Sequence, residues 1–329
     1  MNKDGFVEIV GKFKGKKIAV VGDIALDAYI YGSMNRLNPE SAAPLLTVYE
    51  EQEEHRLGCA GNTAMNVSSL GANVTLYCVI GDDSRGEVFR KLCEQNSIRL
   101  VAAVEGQTIK KQRWFEKAHN YYLFRTDYGE SNLGPISEQA QEGLLKHLMS
   151  EKYDAIILSD YDKRVFRGDF AQKVVSLAKS KGIFTLADAK PGNALKFRGV
   201  SVIRPNEREA RKMIGETASE MGIEELAGKL KEVMDARYCV ITRGKEGVAT
   251  YDGGFHAIGT KARKVSDVSG AGDTFAAALT LSLINGANIV EAANIANYAS
   301  GIVVEKPGTA TASNEELIRR IDEEEKNSS

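Results

Sequence analysis

One carboxylate, Asp273, follows a loop of three small residues, Gly270, Ala271 and Gly272, and opens an apolar run predicted to be a helix over 273–283. A small-residue loop that enters a helix exposes backbone N–H groups at the positive end of the helix dipole. Such a loop suits an anion, for example a phosphoryl group in transfer. A carboxylate beside this anion hole is placed to accept a proton from an incoming hydroxyl. The same carboxylate could instead cap the helix, so the motif alone leaves both roles open.

Three other strand ends carry polar residues suited to a nucleotide. Asn206 and Glu209 lie three apart where a helix is predicted to begin, and this spacing lets both hold Mg²⁺ through water or merely cap the helix. Thr242 and Gly244 follow another strand and are candidates for contact with the phosphates of ATP. Lys190 is either a cation for those phosphates or a solvent-facing loop lysine.

The end of the first predicted strand carries a second polar set, which suits an acceptor molecule. Asp23 and Asp27 bracket the run GDIALD, and carboxylates there can accept paired hydrogen bonds from vicinal sugar hydroxyls. Gly61 and Asn62 stand where the next helix begins. The glycine would let a ligand approach the backbone, and the asparagine offers a donor and an acceptor or caps the helix.

The charges of the chain nearly cancel: 43 basic and 45 acidic residues give a formal charge of −2. This balance indicates no general affinity for nucleic acid, and a phosphorylated substrate would need a local cluster of cations. The candidates for such a cluster are Arg36, Lys110, Lys111 and Arg113, with ordinary surface side chains as the alternative.

Several classes of protein are disfavoured by what the chain lacks. GKFKGKK at 11–17 does not have the spacing of a Walker loop, and no GxGxxG follows the first strand, which argues against a dinucleotide-binding oxidoreductase. The N-terminal region has no long apolar core, so neither a signal peptide nor a membrane span is expected. The cysteines form no CxxC pair and predict reduced, mostly buried thiols in a cytoplasmic protein: Cys59, Cys78, Cys93 and Cys239.

Short apolar runs alternate with longer helical patterns, which predicts an α/β fold with a doubly wound, mostly parallel sheet flanked by helices. We expect one domain over 1–329 with a short disordered C-terminal tail from 321. Two segments break the alternation, 28–57 and 99–126, and are predicted to form a small β-lid, or an irregular edge of the main sheet. The predicted strands are 17–23, 73–81, 155–160, 183–188, 200–206 and 238–244, and the predicted helices before 273 are 62–70, 84–96, 136–150, 169–181, 207–214 and 222–236.

Four of these motifs together resemble the PfkB (ribokinase-like) family of carbohydrate kinases. They are GCAGNTAMNVSSLGA at 58–72, the N-x-x-E at 206–209, TRGKEG at 242–247 and DVSGAGD at 267–273, and the similarity spans roughly 16–315. The resemblance implies a ribokinase-like body with a β-lid, Mg-ATP as phosphoryl donor and Asp273 as base. It also implies an Mg-ATP pair at Asn206 and Glu209, phosphate contacts at Thr242 and Gly244, and an adenine-facing Asn297 within 293–311.

Further segments resemble the members of that family that phosphorylate D-glycero-D-manno-heptose 7-phosphate at the anomeric hydroxyl. These are 22–46, 157–163, the LADAKPG loop and 303–313. The stretch TIKKQR (108–113), the DAK of 188–190 and Arg164 depart from the usual pattern on the substrate side. Another sugar or nucleoside kinase, or an inactive nucleotide- and sugar-binding regulator, therefore remains an alternative. We also expect a homodimer through the β-lid, while assistance by a monovalent cation is left open.

Overall fold

The computed structural model describes residues 3–49, 53–131 and 133–326. Its strands are β1 (Lys17–Gly22), β2 (Ile24–Leu37), β3 (Pro44–Val48), β4 (Glu54–Cys59), β5 (Asn73–Ile80), β6 (Ile98–Val104), β7 (Lys110–Glu116), β8 (Tyr121–Tyr128), β9 (Ala155–Ser159), β10 (Phe184–Asp188), β11 (Val202–Ile203), β12 (Tyr238–Thr242), β13 (Val248–Tyr251) and β14 (Phe255–Ile258). Its α-helices are α1 (Lys3–Gly11), α2 (Ala60–Ser69), α3 (Ser84–Gln95), α4 (Glu138–Ser150), α5 (Phe170–Ser180), α6 (Glu207–Ile214), α7 (Ile223–Met234), α8 (Ala271–Ile284), α9 (Ile289–Val304) and α10 (Asn314–Lys326).

The main sheet has nine strands in the order β14-β13-β12-β11-β10-β9-β1-β5-β6. The strands from β12 to β6 are parallel, and β13 and β14 continue the sheet antiparallel. From β1 the chain first builds outward through β5 and β6, then returns to the other side at β9. The order therefore reverses between β1 and β9, and a crevice at the carboxyl ends of strands at such a point is where ligands bind in open α/β sheets.

Successive residues of the central strands face two separate apolar cores. In β1, Ile18 and Val20 belong to the core covered by α1, α2, α3, α8, α9 and α10. Their neighbours Ala19 and Val21 belong to the core covered by α4, α5, α6 and α7. Because adjacent side chains of a strand point to opposite faces, a strand buried on both faces needs an unbroken apolar run. The predicted doubly wound α/β body is confirmed.

A small sheet of five strands lies beside the main body. The long strand β2 pairs with β3 and β4 along one edge, both antiparallel, and with β7 along the other edge, where the pairing is parallel. The strand β8 then pairs antiparallel with β7. For the second predicted lid segment, 99–126, the assignment to the small sheet is wrong for the first residues. The run 98–104 pairs in parallel with β5 as the edge of the main sheet, and only 110–128 joins the small sheet.

Two further predictions need correction. The strand expected over 200–206 is reduced to Val202–Ile203, followed by one bridge between Asn206 and Thr242. The tail expected from 321 is helical up to 326, because Ile321 is buried and Arg263 pairs with Glu323 and Glu324. Residues 327–329 lie outside the described residues. Within the described ranges, no helix is both long and apolar enough to cross a membrane.

Candidate active site

A cavity of about 640 Å³ opens between the carboxyl ends of β10–β12 and the first turn of α8. Its lining unites the residues that the sequence predicts for catalysis and nucleotide binding: Lys190, Asn206, Glu209, Thr242, Gly244, Gly270, Ala271, Gly272, Asp273 and Asn297. They come from five separate places in the chain. The fold therefore brings this predicted set to one cavity, although their contacts differ from the expected ones in several cases.

Asp273 sits buried in the first turn of α8, and its side chain does not cap that helix. The N-cap position is Gly270, which adopts φ 80°, a left-handed conformation that glycine adopts without strain. A Cβ at Gly270 would stand only 2.7 Å from the Nδ2 of Asn62, so a larger residue would displace the Asn62 side chain. The carboxylate of Asp273 instead accepts hydrogen bonds from Asn62 Nδ2 at 2.6 Å, Thr63 Oγ1 at 2.7 Å and the Tyr161 hydroxyl at 2.9 Å.

The surroundings of Asp273 raise its proton affinity. Burial raises the pKa of this carboxyl above its ordinary value, and the nearby Asp188 carboxylate adds to the rise. The hydrogen bonds from Asn62, Thr63 and Tyr161 oppose it, because they stabilise the charged form. A carboxylate with a raised pKa is a better proton acceptor than an exposed one, which suits a general base.

Two ion pairs line the cavity floor beneath the small-residue loop. Arg204 is 5% exposed and pairs with Asp188, and a Cβ at Gly272 would lie 3.2 Å from its guanidinium. Lys190 pairs with Glu209, with 2.6 Å between Nζ and Oε1. Two cations therefore line the same cavity as the small-residue loop, where they could help to hold an anion. Sequence reasoning missed Arg204 because it lay inside a predicted strand. The available signal was an arginine interrupting an apolar run.

The pair Asn206 and Glu209 forms a capping box at the start of α6. Asn206 Oδ1 accepts from the backbone N–H of Glu209 at 2.9 Å, and Glu209 Oε2 accepts from the backbone N–H of Asn206 at 3.0 Å. The second oxygen of Glu209 is held by Lys190. Both side chains therefore cap α6, which was one of the two predicted roles. Because their oxygens are used in this way, these residues would contact Mg²⁺ through water molecules. Among the described residues no three or more His, Cys, Asp or Glu side chains cluster as a metal site.

These donors fit a mostly hydrated Mg²⁺ that arrives with phosphates. Glu209 and Asp188 offer carboxylate oxygens at the cavity wall, the ligand type that Mg²⁺ prefers. Each of the two is already balanced by one cation, so neither is free to bind the ion directly. The residues present therefore suit an outer sphere around Mg²⁺ rather than a protein-made cage.

The far end of the cavity is lined by small and apolar residues of α9 and the loop before α8, including Val265, Val268 and Val304. Asn297, expected to face adenine, lines this end, but its Nδ2 donates to the Gly259 carbonyl at 2.8 Å. Gly301 also lies here, and a Cβ on it would stand 2.9 Å from the Lys261 carbonyl oxygen. This part of the cavity is therefore mostly apolar, which would suit a flat ring.

On the predicted substrate side, Asp23 has another task. Its two oxygens accept four backbone hydrogen bonds from the loop after β9, given by the N–H groups of 161, 163, 164 and 165 at 2.9–3.2 Å. A carboxylate offers about four lone pairs, so this one is fully used. Asp23 therefore has no lone pair left for sugar hydroxyls, and the predicted contact does not match the structure. Instead, Asp23 fixes the loop that carries Tyr161.

Asp27 and Arg113 face each other across β2 and β7, with 3.0 Å between Oδ1 and Nη1. These two atoms are close enough to form an ion pair but are not aligned for a hydrogen bond, and within the described residues neither atom has a hydrogen-bond partner. Lys111 lies on the same face of the small sheet, with its Nζ 3.2 Å from the Cys59 sulfur. This face therefore gathers buried or half-buried charged groups, Asp27, Lys111 and Arg113, whose hydrogen-bonding capacity is only partly used within the described residues.

Three other residues predicted to bind substrate, Gly61, Lys110 and Arg36, are not part of this group around Asp27. Gly61 is needed for packing, since a Cβ there would stand 3.0 Å from the Phe89 ring. Lys110 points to the opposite face of β7 from Lys111 and pairs with Glu53. Arg36 is exposed near the end of β2, about 30 Å along the strand from Asp27 at the usual rise per residue. Within one chain, neither cation joins the group around Asp27.

The cysteines are free and buried, as predicted. Burial raises the pKa of the Cys59 thiol to about 12, although Lys111 beside it acts in the other direction. These thiols are therefore protonated at neutral pH and are not candidates for nucleophiles.

The architecture is shared with solved sugar kinases. Phosphofructokinase-2 from Escherichia coli in complex with potassium superposes with a TM-score of 0.78 at 16% identity, over 94% of this chain and 99% of that one. Ribokinase from Arabidopsis thaliana complexed with ribose and ATP superposes with a TM-score of 0.71 at 15% identity, over 93% of this chain and 99% of that one. The fold is thus ribokinase-like.

The family is set by sequence. The model of the pfkB family carbohydrate kinases matches residues 16–317. Two curated relatives named bifunctional protein HldE are similar: one from Paramagnetospirillum magneticum at 34% identity over 97% of this chain and 66% of the relative, and one from Campylobacter concisus at 36% over 92% and 64%. The chain belongs to the pfkB family of carbohydrate kinases. It spans about two thirds of the length of these curated relatives.

Proposed function

We propose that this chain transfers the γ-phosphoryl group of Mg-ATP to the anomeric hydroxyl of D-glycero-D-manno-heptose 7-phosphate, with Asp273 as the base. The acceptor class is supported by the segments that resemble heptose 7-phosphate kinases and by the similarity to the HldE relatives. One structural observation carries the proposal: Lys111 and Arg113 lie on one face of the small sheet, and Lys111 stands over the ring of Tyr161, whose hydroxyl bonds Asp273.

Lys111 is linked to Asp273 through one tyrosine, and Arg113 is linked to the loop before Asp273 through a tyrosine and a threonine. Lys111 Nζ stands 5.6 Å from the centre of the Tyr161 ring, whose hydroxyl reaches Asp273. Arg113 stands 5.4 Å from the Tyr29 ring, whose hydroxyl bonds Thr309 at 2.9 Å beside Gly270. An acceptor with a hydroxyl at Asp273 and a phosphate on Lys111 and Arg113 would span the crevice between the small sheet and the main body.

In this reaction the residues of the chain have distinct tasks. Asp273 takes the proton of the acceptor hydroxyl as its oxygen attacks the γ-phosphorus and the bond to ADP breaks. The loop at Gly270–Gly272 and the positive end of α8 stabilise the charge on the group in transfer. Arg204 and Lys190 balance the phosphates of the nucleotide from below. When bound, Mg²⁺ neutralises charge on the phosphate oxygens.

Steady-state assays with Mg-ATP test the proposal against its alternatives. The expected result is the highest kcat/KM for D-glycero-D-manno-heptose 7-phosphate, and a large loss when the same heptose lacks its phosphate. Ribose, fructose and nucleosides serve as competitors, and a higher kcat/KM for any of them would reassign the acceptor. Absence of turnover with the whole panel would favour an inactive sugar-binding regulator.

The small sheet also supports a homodimer. Its edge strand β8 exposes large aromatic side chains on both faces, with Tyr122 54% and Phe124 50% exposed. Exposed aromatic surface of this kind tends to be covered by a partner. A relative of the same fold, phosphofructokinase-2, has been solved in a tetrameric inhibited form.

The four free, buried cysteines suit a reducing compartment such as the cytoplasm.

A further inference from the structure

Among the described hydrogen-bond partners of Asp273, Tyr161 alone comes from a loop, whereas Asn62 and Thr63 come from a helix. Asn62 and Thr63 both belong to α2, are 1% exposed, and are followed by Ala64 and Val67 in the core. Their hydrogen bonds to Asp273 are therefore fixed by the packing of α2 against α8. Tyr161 follows β9, and only its side chain reaches the carboxylate. Of these three hydrogen bonds at Asp273, this one can be removed by a Phe substitution that keeps the ring packed where it is.

The backbone of Tyr161 is held firmly while its ring spans the crevice. Asp23 accepts from the Tyr161 N–H, and Asp160 accepts from the N–H groups of Asp162 and Lys190. The ring lies between two ammonium groups, Lys111 and Lys190, each 5.6 Å from its centre. A rotation about the side-chain torsions would thus move the phenol without breaking any of the backbone hydrogen bonds of the loop.

The ring also closes the space between the two halves of the site. It packs against Ala25 of β2, Cys59 of β4 and Ile109 just before β7, and it also lines the cavity that contains Asp273. Its hydroxyl is 2.9 Å from Asp273 Oδ1, within the range that a general base needs to its acceptor hydroxyl. Burial keeps the pKa of this phenol well above its ordinary value, so the group remains a donor at neutral pH.

We propose that the Tyr161 hydroxyl occupies the position of the acceptor hydroxyl at Asp273 Oδ1 until a sugar displaces it, and so keeps water from being phosphorylated. The inference rests on Asp273 being the base, as in the proposed function, but not on the identity of the sugar. Without the phenol hydroxyl, a water molecule would take its place. Its oxygen would bond to the γ-phosphorus, Asp273 would take its proton, and the bridging oxygen would leave with ADP.

The test is ATP hydrolysis without any sugar, measured as ADP release from Mg-ATP by Tyr161→Phe and Tyr161→Leu. We expect at least about a tenfold rise over the unaltered chain in both variants, because a general base typically contributes 10²–10⁴-fold once a water is in reach. The matched control is Tyr153→Phe, which removes a hydrogen bond between Tyr153, just before β9, and Tyr77 of β5, neither of which lines the cavity that contains Asp273. Its sugar-free hydrolysis should stay at the level of the unaltered chain.

The double variant Tyr161→Phe/Asp273→Asn separates the outcomes. A rise in Tyr161→Phe that disappears in the double variant supports the inference. Unchanged hydrolysis in both Tyr161 variants, with ATP affinity retained, overturns it, and so does a rise that persists without Asp273. Because no sugar is present, a wrong acceptor assignment would leave this result intact. Loss of sugar phosphorylation in Asp273→Asn alone tests the base independently.

Discussion

Asn62 donates a hydrogen bond of 2.6 Å from its Nδ2 to Oδ2 of Asp273, and so joins the first turn of α2 to the first turn of α8. Behind it, Asn66 donates to the Asn62 carbonyl oxygen at 2.9 Å and accepts from Thr274 Oγ1 at 2.6 Å. All these groups are buried. The proposed base is therefore held by a preformed polar network, which fixes its position before any ligand arrives.

Replacing Asp273 by Asn should lower kcat by roughly 10²–10⁴-fold, the usual contribution of a general base, because the amide cannot take the proton of the acceptor. The affinity for ATP should change little, since the amide has nearly the size of the carboxylate and stays beside the same partners, Asn62, Thr63 and Tyr161. Steady-state kinetics and calorimetric ATP titration measure the two quantities. Near-normal turnover in this variant would remove Asp273 from the mechanism.

Thr63→Val should shift the pH dependence of the reaction. Asp273 must be deprotonated to act, so kcat falls as the pH decreases through its pKa, which burial already raises. The Thr63 hydroxyl opposes that rise, and its loss should raise the pKa further. The acidic limb of the kcat profile should therefore move to higher pH. Thr63→Ser, which keeps the hydroxyl, is the control, and an acidic limb that stays in place in the valine variant would contradict this account.

Arg113→Ala should raise the KM for a phosphorylated sugar by about 10- to 100-fold, as expected for the loss of a charge-assisted hydrogen bond. Its kcat should change much less, because Arg113 faces Asp27 and not the reacting atoms. Arg36→Ala is the matched control, being an exposed arginine of the same small sheet. Equal effects of the two substitutions, or an unchanged KM in Arg113→Ala, would be incompatible with a phosphate site at Arg113.

Arg204→Gln should lower the free energy of unfolding by about 3–5 kcal/mol, the usual effect of breaking a buried ion pair, because Asp188 loses its partner. Urea unfolding measures the change. In the double variant Asp188→Asn/Arg204→Gln no charge is left unpaired, so part of the stability should return. A single variant as stable as the unaltered chain would show that the pair contributes nothing.

The double substitution Tyr122→Ser/Phe124→Ser should convert the proposed dimer into a monomer, because it removes exposed aromatic surface from both faces of β8. Light scattering coupled to size-exclusion chromatography gives the mass directly. The substitution Met149→Ser, at an exposed position on α4 of the main body, is the control. A monomeric mass for the unaltered chain would refute the dimer itself.

The sequence predicted the main body well because its signals are local. Unbroken apolar runs such as Ile18–Val21 require burial on both faces, and small-residue loops such as 270–272 mark the start of a helix. The prediction places 98–104 in the lid, but this run pairs with β5, about 25 residues earlier in the chain. The local sequence pattern does not show with which distant strand a run pairs. The same limit applies to 321–326, where burial of one isoleucine against the core keeps the helix intact.

Within the site, residue type and order predicted which side chains would meet but not what they would contact. Asp23 was expected to meet sugar, yet the backbone amides of a loop some 140 residues later take its lone pairs. Arg204 and Tyr161 were overlooked because their importance comes from Asp188 and Asp273, which are distant in sequence and adjacent in space. Hydrogen-bond partners of buried polar groups are fixed by tertiary packing, so a single sequence does not reveal them.

The four amide hydrogen bonds that Asp23 collects have a thermodynamic consequence for ligand binding. Fixing the backbone of a residue costs about 1–2 kcal/mol of conformational entropy, and a loop that orders only on binding subtracts that cost from the affinity. Here the segment 161–165 is already ordered by Asp23 when the chain folds. The loss of conformational entropy of this segment therefore occurs during folding. It does not reduce the free energy of binding of a ligand that enters the crevice.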